Sequence, residues 1–310
     1  MLAERPMRRI LFATLLAATL VTAGSAAANS TVVVASKIDT EGALLGNMIL
    51  LILGGHAIPV QDRLRLGPTN IVRAAILAGQ IDIYPEYTGN GALFFHLETD
   101  PVWRNWAQGY ARVAALDHTR NHLIWLTPAP ANNTWVIAVR QDLGHRAYLK
   151  TMTDFARYVD NGGYVYLAAS AEFVETPSAL PAFEEVYGFR LSDRQLLTLS
   201  GGNTSATLRA AAEGMSHVNS AMAYGTDGAI AALGLVVLED DKGAEIVYAP
   251  APIVREAALA RHPQIAELLD PLFKTLTLTT LQELNARIAV DGEDAGAVAA
   301  AYLKARHFLP

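Results

Sequence analysis

The sequence contains no cysteine, which excludes disulfide bonds, thiolate metal sites and lipid attachment at a lipoprotein cleavage site. It also lacks a Gly-rich phosphate loop, a G-x-S-x-G nucleophile motif and an H-E-x-x-H zinc motif. One pair among its eight histidines, His118 and His122, is closely spaced, but no third ligand follows in a recognisable pattern, which favours surface histidines. We therefore expect no enzymatic activity, no metal site and no cofactor.

Positive charge is also scarce: 24 Lys and Arg residues stand against 30 Asp and Glu residues, for a net charge of −6. Without a run of basic residues, the chain is poorly suited to the phosphate contacts that dominate nucleic-acid affinity. The charge balance therefore favours a neutral or cationic partner over a nucleic acid.

Residues 1–28 have the pattern of an export signal. A basic start precedes the apolar run Ile10–Val21, and the small residues Ala26–Ala28 suit cleavage. The apolar run is about 12 residues long, whereas roughly 20 are needed to span a bilayer. The pattern predicts a mature chain that starts at Asn29 in the periplasm of a Gram-negative bacterium. About 280 residues then remain, which is long for one core and sufficient for two lobes.

Strand and helix patterns alternate in the first half of the mature chain. The β-branched run Ser30–Lys37 predicts a buried strand, and Thr40 begins a helix that Gly54-Gly55 ends. A helix over Ile71–Leu77 and a strand over Ile81–Tyr84 follow. This alternation is typical of an α/β protein with a parallel sheet.

A second α/β block follows and leads into a helical tail over Arg255–His307. We predict in it strands over Asn133–Arg140, Tyr164–Ser170 and Ser220–Thr226, and helices from Thr151 and over Thr204–Glu213. No flexible linker separates the blocks, so two lobes connected by strands fit better than two independent domains.

Several aromatic residues fall at predicted strand ends: Tyr84, Tyr87, Trp135, Tyr224 and Tyr248. Each could simply pack locally. Together, rings that meet at the mouth of two lobes would form a box for a cation without hydrogen-bond donors, such as a quaternary ammonium. We expect Tyr84 to pack beneath the site. We expect Pro85 and Gly89 to shape the turn at the strand end, so that Tyr87 faces the cleft.

Six segments together resemble the osmoprotectant-binding proteins of ABC importers, in order and spacing, from about Thr31 to the C-terminus. They are "VASKIDTEGALLGNMI", "GPTNIVRAAILAGQIDIYPEYTGNG", "ANNTWVIAVRQDL", "AASAEFVE", "AYGTDGAIAALGLVVLEDDKG" and "YAPAPIVRE". The resemblance implies the two-lobed periplasmic-binding fold of type II, with "TWVIAVR" and "EIVYAPAPIV" as the two crossover strands. Residues 29–134 and 249–310 would form the first lobe and residues 135–248 the second.

The resemblance also implies site residues. The family's aromatic box would fall on Tyr87, Trp135, Tyr224 and Tyr248, with Trp135 in place of the usual tyrosine. Lys37 and Asn90 match positions that contact a ligand carboxylate, and Asn133 matches a position that lines the box. Thr176 stands where many relatives carry an arginine that clamps the carboxylate, which puts carboxylate binding in doubt. We expect partial compensation from Thr176, Asn203 and Thr204.

The resulting expectation is a monomeric, non-enzymatic receptor that closes on a small quaternary-ammonium compound, such as glycine betaine, choline or carnitine. It would deliver this ligand to an inner-membrane permease powered by a cytoplasmic ATPase. Two alternatives stay open at this point: a receptor of the same fold for another small cationic or zwitterionic metabolite, and a ligand-sensing subunit.

Overall fold

The structure, a computed structural model, describes residues 30–199 and 204–309. The predicted export signal, residues 1–28, and Asn203 lie outside the described residues. Within the described ranges, no helix is both long and apolar enough to cross a membrane.

The strands of the described chain alternate with helices, as the sequence predicts. The strands are β1 Val32–Lys37, β2 Val60–Gly67, β3 Ile83–Tyr87, β4 Leu123–Trp125, β5 Trp135–Arg140, β6 Leu167–Ser170, β7 Leu196–Leu199, β8 Ser220–Tyr224, β9 Leu235–Val237 and β10 Pro250–Arg255. The helices are α1 Thr40–Gly55, α2 Thr69–Leu77, α3 Asn90–Phe95, α4 Trp106–Asn121, α5 Gln141–Ala147, α6 Met152–Asp160, α7 Ala171–Glu175, α8 Leu180–Tyr187, α9 Thr204–Ala212, α10 Ala229–Ala232, α11 Glu256–Arg261, α12 Gln264–Thr275, α13 Leu278–Ala289 and α14 Ala295–Ala305.

The first strand and helix show how local sequence sets these elements. The β-branched run of β1 is almost wholly buried, which confirms the predicted interior strand. Asp39 then caps α1, because its side chain accepts a hydrogen bond from the backbone N–H of Gly42. Glu41 in the first turn complements the positive end of the helix dipole. The N-terminus of α1 is thereby fixed at the carboxyl end of β1.

The first sheet has the strand order β2-β1-β3-β10-β4. β1 runs parallel to β2 and β3, whereas β10 runs antiparallel to β3 and β4. Successive residues of β3 point to opposite faces, so Ile83 joins one core cluster and Tyr84 another. The helices of the C-terminal tail pack into the cluster that contains Ile83. Both faces of this sheet are therefore covered.

The second sheet has the order β7-β6-β8-β5-β9. Its middle strand β8 is parallel to β6 and antiparallel to β5. Ile137 and Val139 of β5 enter one core cluster, while Val136 and Ala138 enter a second. This sheet too is buried on both faces, which is the arrangement of an α/β protein.

The chain passes between the two sheets twice, from β4 to β5 through residues 126–134 and from β9 to β10 through residues 238–249. The two connecting segments are hydrogen-bonded to each other. The backbone N–H of Asn133 donates to the carbonyl of Tyr248 at 3.0 Å, and the backbone N–H of Tyr248 donates to Asn132 Oδ1 at 2.8 Å. β5 and β10 occupy the two predicted crossover positions. The proposed lobe limits follow this division and stay a prediction.

Strand β3 differs from its prediction, because it extends to Tyr87 and not to Tyr84. Proline lacks the N–H of a strand ladder, so Pro85 favours a strand end in the sequence. In the fold, however, Pro85 faces Pro252 of β10, and β3 pairs with β1 only through Ile83. Among the described residues, no neighbouring strand pairs with β3 on the β1 side at Pro85, so the backbone N–H that proline lacks is not needed there. Pro85 can therefore lie inside the strand.

The sequence pattern does not predict β2, β4 and β7, and all three are edge strands of their sheets. Most side chains of β2 are exposed and four of its eight residues are polar or charged. Such a composition is typical of edge strands, whose charged side chains prevent pairing with other chains. It lacks the alternation of apolar and polar residues from which a strand is predicted.

Candidate ligand-binding site

The predicted aromatic residues come together because, in each sheet, the last residue of one strand lies opposite the first residue of an antiparallel strand. Tyr87 ends β3 and faces Pro250, the first residue of antiparallel β10, so Tyr248 lies just before this point. Tyr224 ends β8 and faces Trp135, the first residue of antiparallel β5. Antiparallel pairing thus places two aromatic residues at the same end of each sheet.

These four residues, which we call the aromatic box, line one cavity of about 640 Å³. This volume suits a small-molecule site. The rings of Trp135 and Tyr224 are stacked, with centroids 6.3 Å apart and planes at 21°. Phe173 supports Trp135 from behind in an edge-on contact at 6.0 Å. The other residues that line the cavity are Lys37, Asp39, Thr40, Glu41, Thr69, Asn90, Asn133, Glu172, Thr204, Ser205, Thr226, Asp227, Gly228, Asn285 and Ala289.

The tyrosines of the box are neutral phenols at physiological pH. Burial raises the pKa of Tyr87 and of Tyr224, and raises that of Tyr248 to about 12. A cation in the cavity would therefore meet uncharged ring faces, whose quadrupole attracts it without a phenolate.

A fully buried carboxylate, Glu86, organises the first-sheet side of the cavity. Its Oε1 accepts hydrogen bonds from Lys37 Nζ at 2.5 Å, from Asn90 Nδ2 at 2.7 Å and from the backbone N–H of Tyr87 at 2.7 Å. Its Oε2 accepts from the hydroxyl of Tyr84 at 3.0 Å. The ammonium of Lys37 lies 4.6 Å from the ring centroid of Tyr87. The charge of Lys37 is thus already neutralised by Glu86.

A second buried carboxylate, Glu41, connects four parts of the chain. Its Oε1 accepts from the hydroxyl of Tyr87 at 2.9 Å and from Asn133 Nδ2 at 3.3 Å. Its Oε2 accepts at 2.7 Å from Nδ2 of Asn285, which also donates to the carbonyl of Thr226 at 3.0 Å. Burial raises the pKa of Glu41 to about 7, although these hydrogen bonds partly oppose the shift. Glu41 therefore changes charge near neutral pH.

Seven of the eight predicted site residues line the cavity, and Thr176 does not. Thr176 follows the last residue of the short helix α7, and its backbone N–H donates to the carbonyl of Glu172. Glu172, in the first turn of α7, lines the cavity. The expected compensation by Thr176 is therefore not supported, because Thr176 lies one helical turn beyond the cavity wall. Thr204 does line it.

Lys37 and Asn90, the residues matched to carboxylate contacts, both donate to Glu86. A ligand carboxylate would have to compete with a buried acceptor for Lys37. The cavity thus offers less free positive charge than the resemblance implies.

Sequence reasoning misses all four carboxylates that line the cavity: Asp39, Glu41, Glu172 and Asp227. A signal for the first two exists, because a helix cap and first turn directly after a buried strand lie where α/β proteins bind ligands. Asn285 carries no such signal, since it lies in the helical tail and reaches Glu41 only through tertiary packing.

The stretch around Tyr87 departs from its prediction at Pro85, which does not shape a turn because it lies inside β3 and faces Pro252. Tyr84 is fully buried beneath the site, which confirms its prediction. Gly89 has an ordinary helical φ of −63°, so no special backbone conformation requires glycine there. A Cβ at this position would lie 2.7 Å from Cδ1 of Tyr248, and the close approach of that ring is what requires glycine.

His118 and His122 are exposed by 58% and 77%, which confirms that they are surface histidines. Both lie beside Glu256: Nε2 of His118 is 3.7 Å from Oε1 of Glu256, and Nδ1 of His122 is 3.0 Å from Oε2.

Comparison with known proteins shows the family to which the chain belongs. Residues 30–305 match the family model described as the substrate binding domain of ABC-type glycine betaine transport systems. The chain belongs to this family. The fold is accordingly the two-lobed periplasmic-binding type. The family's role is to bind a substrate for transport and not to catalyse a reaction, and its members work with a membrane permease and an ATPase.

Individual members of the glycine betaine-binding family are close to this chain. The glycine betaine-binding protein YehZ of Escherichia coli is 58% identical over 277 residues, which cover 89% of this chain and 91% of that protein. A glycine-betaine-binding protein of Pseudomonas aeruginosa is 29% identical over 309 residues, 98% of this chain and 96% of that protein. The solved structure of apo YehZ from Escherichia coli aligns with a TM-score of 0.84 at 57% identity, covering 90% of this chain and 99% of the other.

Proposed function

We propose that this protein is a periplasmic, monomeric receptor that binds the trimethylammonium group of a small compound in the aromatic box. The observation that carries the proposal is that Tyr87 of the first sheet, Trp135 and Tyr224 of the second sheet, and Tyr248 of a connecting segment line a single cavity. Ring faces attract a quaternary cation at every pH, and no proton acceptor is needed to select it. The glycine betaine named for its relatives supports this ligand class.

Delivery of the ligand to an inner-membrane permease with a cytoplasmic ATPase completes the proposed role. The predicted export signal at residues 1–28 supports a periplasmic location. The two connecting segments, joined at Asn133 and Tyr248, are the parts about which the lobes would close on the ligand.

Calorimetric titration with glycine betaine, choline and carnitine tests the proposal. We expect at least one of them to bind, and we expect Tyr87→Ala and Trp135→Ala each to weaken binding by about two- to thirtyfold, as loss of one cation–π contact predicts. Tyr148→Ala and Trp106→Ala are matched controls, because these rings are exposed by 82% and 41% and do not line the cavity.

A neutral analogue sharpens this test. In the carbon isostere of choline, a carbon atom replaces the nitrogen, so shape is kept and charge is lost. We expect it to bind far more weakly than choline. Equal binding of the two compounds, or no binding of any trimethylammonium compound at millimolar concentration, would overturn the proposal.

A further inference from the structure

The cavity carries more negative than positive charge. Four carboxylates line it: Asp39, Glu41, Glu172 and Asp227. Among the described residues that line it, Lys37 is the only one with an ammonium or guanidinium group, and that group is 2.5 Å from Glu86. A cation entering the box gains from this balance, whereas a carboxylate on the same ligand does not.

Glu41 is the carboxylate best placed to act on a ligand in the box. It is 4% exposed, and its Oε1 is 2.9 Å from the hydroxyl of the box residue Tyr87. Little water screens a charge at such depth, so its effect on a nearby ligand exceeds that of an exposed carboxylate such as Glu172.

Two hydrogen-bond acceptors beside Glu41 are unused. Asn133 and Asn285 both line the cavity and both donate to Glu41. The Oδ1 atom of each is buried and has no hydrogen-bond partner within residues 30–199 and 204–309. Buried acceptors without protein partners are rare, and a hydrogen-bond donor from a ligand or from solvent would satisfy them. Glu41 and the two asparagines thus present acceptors to the cavity.

We propose that Glu41 is a specificity-determining residue that selects a trimethylammonium ligand with a hydrogen-bond donor and opposes one with a carboxylate. The inference rests on the proposed function. Choline and glycine betaine are the matched probes, because both carry a trimethylammonium-methylene unit, to which choline attaches a CH2OH group and glycine betaine a carboxylate. Neutralising Glu41 shifts the preference toward glycine betaine.

The charge of Glu41 can be changed without mutation, because burial raises its pKa to about 7. Protonation at low pH removes the repulsion of a carboxylate and the attraction for a cation. The ratio of Kd for glycine betaine to Kd for choline therefore falls as the pH falls. Other groups in the same network or cavity also carry charge or titrate, namely Lys37, Asp39, Glu86, Tyr87, Glu172, Tyr224, Asp227 and Tyr248. Burial also raises the pKa of Asp227.

The experiment is a titration of the purified protein with choline and glycine betaine at about pH 8 and about pH 6, for wild type, Glu41→Gln and Glu172→Gln. For wild type we expect the Kd ratio to fall about tenfold from the higher to the lower pH, which corresponds to about 1.4 kcal/mol. For Glu41→Gln we expect a low ratio at both pH values. Glu172→Gln removes the same charge from an exposed position and should change the ratio less.

The outcomes separate the two proposals. If both compounds bind and Glu41→Gln leaves the ratio and its pH dependence unchanged, Glu41 does not determine specificity and the proposed function stands. An equal effect of Glu172→Gln also overturns the role of Glu41. If neither compound binds wild type or variant, the proposed function fails and this inference with it. If Glu41→Gln does not fold, the wild-type pH series still tests the inference, because a Kd ratio that stays constant between about pH 8 and about pH 6 overturns it.

Discussion

The two sides of the cavity are built differently. On the first-sheet side, Tyr87 lies within a buried network in which Glu86 and Glu41 accept hydrogen bonds from Lys37 and three asparagines. On the second-sheet side, Trp135 and Tyr224 stack on each other, with Phe173 behind them. Polar networks at depth are costly to break, whereas stacked rings at a half-buried surface are not. Substitutions on the first-sheet side should therefore lower both ligand affinity and the free energy of unfolding. Substitutions on the second-sheet side should lower mainly ligand affinity.

The largest effect is expected from Glu86→Ala, which leaves the buried ammonium of Lys37 and three further donors without their acceptor. Removing one partner of a buried ion pair costs about 3–5 kcal/mol. Urea denaturation should show a loss of this size in the free energy of unfolding. Glu293→Ala breaks a solvent-accessible pair, in which the side chains of Glu293 and Arg287 are 39% and 35% exposed, and should change the stability less. Equal losses in the free energy of unfolding for Glu86→Ala and Glu293→Ala would mean that burial does not make the Lys37–Glu86 ion pair more important for stability than the Arg287–Glu293 pair.

A buried carboxylate with one unpaired oxygen among the described residues gives the next largest effect. Glu245 is 4% exposed, and its Oε1 has no partner within the described part of the chain. Burial, with Asp240 nearby, raises the pKa of Glu245 to about 9 from 4.5. Between these values the folded state keeps a proton that the unfolded state has lost, so the free energy of unfolding falls as pH rises, by about 1.4 kcal/mol per pH unit at most.

Denaturant titrations at about pH 6 and about pH 8 check this dependence, and we expect Glu245 alone to cost wild type about 3 kcal/mol over this range. Glu41 contributes in the same direction up to about pH 7. Glu245→Gln should flatten the dependence, whereas Glu239→Gln, at an exposed position of the same connecting segment, should not. A wild-type stability that rises over this range would contradict the expected sign.

A smaller effect is expected from Gly89→Ala, which tests whether the close packing of the Tyr248 ring on Gly89 matters for the first-sheet side of the cavity. The new Cβ would lie 2.7 Å from Tyr248 and 2.8 Å from Ile246, so the ring of Tyr248 must move. Overpacking of this kind costs about 1–3 kcal/mol. Both stability and ligand affinity should fall. Gly54→Ala is the control, because its Cβ would meet only Val60 at an ordinary 3.7 Å and alanine suits a helix.

The smallest effect tests the second side alone. Tyr224→Leu keeps an apolar contact with Trp135 but removes the ring face, so ligand affinity should fall by about 0.5–2 kcal/mol. Tyr224→Phe keeps the ring and should bind nearly as well. Calorimetry measures affinity and thermal unfolding measures stability. A large loss of stability in Tyr224→Leu would show that the two sides do not differ as described.

The fold was largely predictable because its strong local signals agree with the tertiary structure. The β-branched run of β1, the start of α1 at Thr40 and the cap of α6 at Thr151 all depend on neighbours in sequence. Edge strand β2 and the continuation of β3 through Pro85 were not predicted, since each is stabilised by its pairing partners and not by its own composition.

The sequence by itself determined the two α/β blocks, the family resemblance and the aromatic residues at strand ends, because these depend on composition and spacing along the chain. Only the tertiary structure decided that Lys37 is neutralised by Glu86, that Thr176 lies outside the cavity wall, and that Glu41 meets Asn285. Each of these depends on distances between side chains far apart in sequence or on which turn of a helix lies at the cavity. Whether a charge is available to a ligand depends on such neighbours, and that information appears only when the chain is folded.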